Sequence, residues 1–186
     1  MRRMEREIHA VAVYCGARNG VDPRYLEAAT AVGRTLAERG ITVVYGGGGT
    51  GLMGAVANGA LEAGGTVIGV IPEALIGPEL AHPDLAELHV VQTMAERKAM
   101  MASLADVFVA LPGGTGTLEE IIEQWSWAML GYHDKPCGFL DVLGYWSPMR
   151  ELVAHMREQG FLSEEGAALI RFEDSLAPLL DALEGV

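Results

Sequence analysis

Short apolar runs rich in β-branched residues alternate along this chain with longer amphipathic stretches. That rhythm specifies strands buried on both faces and joined by helical crossovers, which is a parallel sheet covered by helices on both sides. Ile8–Tyr14, Ile41–Tyr45, Thr66–Ile71, Leu88–Val91, Val107–Leu111, Cys137–Leu140 and Ala168–Phe172 read as strands. The first helix is expected from an Asp22 N-cap and Pro23 at its first position to about Arg39, with Leu26, Ala29, Gly33, Leu36 and Ala37 on its buried face and Gly40 ending it. Further helices are expected at Leu52–Ala63, Met94–Ala105, Leu118–Leu130, Trp146–Gln159 and Ser175–Leu183. The chain has 186 residues, half of them hydrophobic, enough to bury its own core, and no linker or repeat divides it. The expected fold is a single α/β domain over residues 1–186, a Rossmann-like three-layer sandwich with a parallel sheet of about seven strands. Such sheets bind ligands outside the carboxyl ends of their strands.

Charge narrows the partners. Thirteen Lys+Arg against 25 Asp+Glu give a net charge of −12, which repels nucleic acid and anionic membranes at long range. A small anion can still be held by a few cations and backbone N–H groups. No apolar run of about 18 residues suggests a membrane span, and the two arginines near the start, Arg2 and Arg3, precede no leader-like segment. The two cysteines, Cys15 and Cys137, form no disulfide framework, and the five histidines show no metal-ligand spacing. A soluble cytoplasmic protein without metal or organic cofactor is expected.

Glycine is frequent, 24 of 186 residues, and part of the excess is concentrated in two loops. The first, Tyr45-Gly46-Gly47-Gly48-Gly49-Thr50-Gly51-Leu52-Met53-Gly54, leaves a strand and opens a helix, where unshielded N–H groups and the helix dipole can receive a phosphate. No Lys-Ser/Thr follows, so it is not a P-loop. The bland alternative is a tight turn in which small residues allow close packing. The second loop, Leu111-Pro112-Gly113-Gly114-Thr115-Gly116-Thr117-Leu118-Glu119-Glu120, again joins strand to helix. Thr117 and Glu120 have the spacing of a capping box, which gives Glu120 a purely structural alternative. Arg97 and Lys98 interrupt an otherwise apolar helical stripe formed by Met94, Met100, Met101, Leu104 and Ala105, as an anion clamp would, or as snorkelling side chains would.

Together, Gly46-Gly47-Gly48 with Gly51-Leu52-Met53-Gly54, Val70-Ile71-Pro72, Met94-Ala95-Glu96-Arg97-Lys98, the Pro112–Glu120 run, Trp127-Ala128-Met129-Leu130-Gly131 and Lys135-Pro136 resemble the LONELY GUY (LOG) family over nearly the whole chain. That resemblance implies a dimeric cytokinin riboside 5′-monophosphate phosphoribohydrolase, which releases an N6-substituted adenine from ribose 5-phosphate. It implies Arg97 and Glu120 as the catalytic pair. It implies substrate contacts from Gly46, Gly47, Gly48, Glu79, Lys98, Gly113, Gly114, Thr115, Gly116, Thr117, Leu118, Glu119 and Ser126, the last at a position usually held by Thr. The chain departs from the family's pattern at Cys15-Gly16-Ala17-Arg18-Asn19-Gly20, where serines are common, and at Thr115, where an aromatic is frequent.

The chemistry fits the residues without the name. Cleaving an N-glycosidic bond passes through an oxocarbenium-like state that a nearby carboxylate stabilises while it orients water. Glu120 is the candidate, with its neighbour Glu119 as the alternative. A carrier that holds a nucleotide or molybdenum cofactor on a similar fold needs no such acid. A lysine decarboxylase needs a lysine free to bind pyridoxal phosphate, and only Lys98 and Lys135 exist.

Overall fold

The computed structural model describes residues 6–186; the part of the amino-terminal reading that falls on Met1–Glu5 lies outside them. Seven strands form one all-parallel sheet: β1 (Ala10–Tyr14), β2 (Thr42–Tyr45), β3 (Val67–Pro72), β4 (Glu87–Val91), β5 (Val107–Ala110), β6 (Cys137–Leu140) and β7 (Ile170–Glu173). The helices are α1 (Arg24–Glu38), α2 (Gly51–Glu62), α3 (Met94–Leu104), α4 (Thr115–Met129), α5 (Ser147–Glu158), the single turn α6 (Glu164–Ala167) and α7 (Leu176–Glu184). The strand order β4-β3-β2-β1-β5-β6-β7 reverses direction between β1 and β5. This is the expected α/β, Rossmann-like three-layer sandwich.

One apolar layer packs α1, α2 and α7 against the sheet through Val32, Leu36, Val56, Ala60 and Leu179. The other packs α3, α4 and α5 through Met101, Ile121, Trp125 and Val153. Because strands are covered on both faces, β1, β5 and β6 are buried at every position, the physical source of their unbroken apolar runs. The β1–β5 register pairs Val11 with Val107 and Tyr14 with Ala110, so both strands end at the same edge. Asp106 supports that join by accepting from the His9 and Ala10 amides at 2.8 and 2.9 Å. Among the described residues no helix is long and apolar enough to cross a membrane.

Helix starts differ from expectation by one residue at α1, α2, α5 and α7, and by three at α4. The α1 helix begins at Arg24, one residue later, and the Asp22 carboxylate accepts from the Arg24 amide at 2.9 Å. The α4 helix begins at Thr115 rather than Leu118, with Gly114 as its N-cap residue. Thr117 therefore sits inside the first turn and forms no capping box with Glu120. The box occurs instead at α3, where Thr93 Oγ1 accepts from the Glu96 amide and Glu96 accepts from the Thr93 amide. That T-x-x-E spacing was equally visible in the sequence.

Candidate active site

A cavity of about 530 Å³ opens at the carboxyl edge of the sheet, where the strand order reverses. The loop after β1 (Cys15–Gly20) and the loop after β5 with the first turns of α4 (Pro112–Thr117, Glu119, Glu120) form facing parts of its lining. Leu52 and Met53 of α2, Glu79, Met94 and Arg97 of α3, and Tyr145 add the rest that matters chemically. The two main loops are tied together, since the Gly16 amide donates to the Pro112 carbonyl at 3.0 Å. Tyr145, delivered by the turn after β6, donates its hydroxyl to the Gly113 carbonyl at 2.5 Å.

The start of α4 is the cavity's anion-receptive wall. Leu118 makes the first backbone bond of the helix, to the Gly114 carbonyl, and the amides of Thr115, Gly116 and Thr117 have no acceptor among the described residues. Free first-turn N–H groups at the positive end of a 15-residue helix form a phosphate-binding arrangement. The start of α2 differs, because the Leu52 and Met53 amides both donate to the Gly16 carbonyl at 3.0 and 3.3 Å.

The first glycine cluster, expected to contact substrate through Gly46, Gly47 and Gly48, packs closely against the protein itself. All three are buried and none lines the cavity. A Cβ on Gly46 would stand 2.1 Å from Arg97 Nη2, Gly47 has φ of +77°, and a Cβ on Gly48 would meet Met53 and Glu79. The run of glycines lets the guanidinium of Arg97 reach the backbone beneath the cavity.

Arg97 is 4% exposed and almost fully committed. Its Nε donates to the Val70 carbonyl at 3.0 Å and its Nη2 to the Gly46 carbonyl at 2.7 Å. The two terminal nitrogens also grip Glu79, Nη2 to Oε2 at 2.9 Å and Nη1 to Oε1 at 3.4 Å. Burial of a guanidinium is stable only with such complete pairing. Arg97 and Glu79 thus form one rigid unit on the cavity wall. Lys98, one position on, pairs with Glu119 and, at 2.8 Å, with Glu123. Its own side chain does not line the cavity, and its charge is taken up by these two carboxylates.

Glu119 and Glu120 both line the cavity, and their environments separate them. Glu119 is half exposed and engaged by Lys98. Glu120 has no hydrogen-bond partner among the described residues, and burial pushes its carboxyl up to about 7. The Arg97 charge opposes that rise, while Glu119 and Glu79 add to it. A carboxyl that titrates near neutrality can both accept and return a proton.

Gly113, Gly114, Thr115, Gly116, Thr117 and Glu79 are brought to the cavity as expected, but Leu118 and Ser126 are not. Leu118 packs into the apolar layer under α4. Ser126 stands roughly 9 Å further along the helix axis than Glu120. Arg18, Asn19, Tyr25 and Tyr145 line the cavity without having been singled out as ligands. Arg18 had a sequence signal, a cation in a small-residue loop after the first strand; Tyr145 had none, being 32 residues from its partner. Among the described residues no three His, Cys, Asp or Glu side chains stand together as a metal site.

Comparison with known proteins accords with this architecture. A family model described as "Possible lysine decarboxylase" matches residues 53–183. A cytokinin riboside 5′-monophosphate phosphoribohydrolase of Rhodococcoides fascians is 48% identical over 155 residues, 83% of this chain and 78% of that protein. The chain belongs to the LONELY GUY (LOG) family. An Oryza sativa LOG protein of the same name is 45% identical over 86% of this chain and 66% of its own length. A third from Arabidopsis thaliana is 40% identical over 99% of this chain and 85% of its own length. Among solved structures, a molybdenum cofactor carrier protein from Chlamydomonas reinhardtii superposes with a TM-score of 0.69 at 24% identity, covering 96% of each chain, a likeness of fold. The decarboxylase wording of the LOG model does not suit this cavity. Lys98 is held by two carboxylates, and Lys135 donates to the Ala102 carbonyl outside it, so neither lysine is placed to anchor pyridoxal phosphate.

Proposed function

We propose that this chain hydrolyses the N-glycosidic bond of an N6-substituted adenosine 5′-monophosphate, releasing the free base, a cytokinin, and ribose 5-phosphate. The observation that carries the reading is the pairing, on one helix, of free first-turn amides with the half-buried carboxyl of Glu120, which lines the same cavity without a hydrogen-bond partner among the described residues and is pushed up to about 7 by desolvation. A 5′-phosphate on the Thr115–Thr117 amides places the attached ribose along the cavity toward the second turn, where Glu120 stands. The C1′–N9 bond breaks with its electron pair leaving on the base, and the ribose carries the positive charge. The Glu120 carboxylate stabilises that charge and takes a proton from the water whose oxygen adds to C1′; that proton then passes to the departing base, which regenerates the carboxylate. Arg97 holds Glu79 in the wall and, by its charge, favours the ionised form of Glu120. The names of the relatives support the same reaction.

Cytoplasmic location and a homodimer belong to this proposal. The exposed Leu130 and Tyr132 at the end of α4 offer an apolar face for a second copy, and light scattering of a Leu130→Glu variant tests it. One sheet spanning β1 to β7 supports reading residues 1–186 as one domain.

The deciding experiment incubates the protein with N6-isopentenyl-AMP, AMP and the free riboside and follows base release by chromatography. Release from a monophosphate is expected. Tight binding with no base released, at enzyme concentrations near substrate, favours the carrier reading that the fold likeness suggests.

A further inference from the structure

The cavity presents a nucleotide dianion with a charge problem. Glu79, Glu119 and Glu120 line it, and the chain as a whole carries −12. Arg97 is spent on Glu79 and two carbonyls, and Lys98 on Glu119 and Glu123. Three backbone amides supply directed donors but no net charge.

Arg18 is the lining cation that remains. It is exposed, and among the described residues its guanidinium meets no carboxylate and no carbonyl. Its backbone, by contrast, is fixed on two sides. The Gly16 carbonyl takes the Leu52 and Met53 amides, and Thr50 Oγ1 donates to the Ala17 carbonyl at 3.3 Å, which ties the loop to α2. The Gly16 amide donates to Pro112, which ties it to the loop that opens α4. A free guanidinium is thus rooted two residues from the contact with the very loop whose amides lack acceptors. A planar fork of N–H donors matches two phosphate oxygens and adds the charge that the amides lack.

We propose that Arg18 binds the 5′-phosphate together with the Thr115–Thr117 amides and makes the site select nucleotides over nucleosides. The proposal rests on the hydrolase reading for its substrate, but phosphate binding is measurable without turnover.

The test compares wild type with Arg18→Gln and Arg18→Lys, using N6-isopentenyl-AMP and its riboside as substrates and ribose 5-phosphate as a titrant in calorimetry. Arg18→Gln is expected to raise KM for the monophosphate about tenfold or more, equivalent to ~1.4 kcal/mol, with kcat within about threefold. It is expected to weaken ribose 5-phosphate binding by a similar factor, to flatten the salt dependence of binding, and to leave the riboside's kcat/KM unchanged. Arg18→Lys recovers part of the loss. Unchanged KM and ribose 5-phosphate affinity in Arg18→Gln overturn the proposal, as does an equal loss for the riboside or a wild type that binds no ribose 5-phosphate. If wild type releases no base yet loses ribose 5-phosphate affinity on Arg18→Gln, the hydrolase reading falls and this one stands. The side chain is exposed and makes no contact that folding needs, so both variants are expected to melt like wild type.

Discussion

Replacing Glu120 by Gln removes a half-buried ionisation while preserving shape, and it is expected to trade activity for stability in a pH-dependent way. In the unfolded chain this carboxyl titrates near its usual 4.5; burial raises it to about 7 in the folded protein. A folded value above the unfolded one means that the group's favourable contribution is complete below 4.5, declines as pH rises toward 7, and is gone above it. The interval from 4.5 to about 7 corresponds to roughly 3 kcal/mol. Gln carries no charge to desolvate, so the variant avoids that decline. Relative to wild type, Glu120→Gln should gain nothing from this source at pH 4.5 and up to roughly 3 kcal/mol at pH 8.5. For a domain of this size that is a shift in Tm of about 6 to 12 °C at most. Urea unfolding of both proteins at the two pH values measures the difference directly, and kcat should fall at least about a hundredfold. A Gln variant whose stability relative to wild type is the same at both pH values would refute the reasoning, since Glu120 would then ionise as freely in the fold as in water.

Gly46→Ala places a methyl group where Arg97 Nη2 sits and expels the guanidinium from the Gly46 carbonyl and Glu79. Circular dichroism should show the fold intact with stability lower by about 1.5–3 kcal/mol, and activity should fall close to that of Arg97→Ala. Lys98→Met removes a cation that pairs with Glu119 and Glu123 and does not itself line the cavity, so its kcat/KM should fall far less than that of Arg97→Met in parallel assays. Tyr145→Phe deletes the hydroxyl that holds the Gly113 carbonyl; steady-state kinetics should show KM for the monophosphate rising several-fold, roughly the worth of one hydrogen bond, with kcat little changed.

Most of the sheet was legible because its strands are buried on both faces and spell themselves as unbroken apolar runs. Ends were less so. The three residues Thr115, Gly116 and Thr117 have weak helix propensity, so a reading of the sequence starts the helix at Leu118, the first strong helix former after them. Adjacent positions on a helix point about 100° apart, and this divides Arg97 from Lys98 and Glu119 from Glu120. Periodicity can register that two charges interrupt an apolar stripe, but not that a loop residue 18 positions earlier, Glu79, is the partner of one of them. The four-glycine run is ambiguous in sequence, between ligand loop and close packing, for a related reason. Glycine admits any close neighbour, and here the neighbour is the protein's own arginine.

The reversal of strand order between β1 and β5 also governs when the site can exist. The Ala10 amide and its acceptor, the Asp106 carboxylate, are 96 positions apart, so β1 remains an open edge while the first four strands leave the ribosome. The loop after β1 then has no second wall. A nucleotide can be held only once β5 has closed the sheet, and bound ligand stabilises the assembled fold rather than either half. Its footprint in hydrogen exchange should be a joint slowing of the β1 and β5 amides, the two strands whose following loops face each other across the cavity.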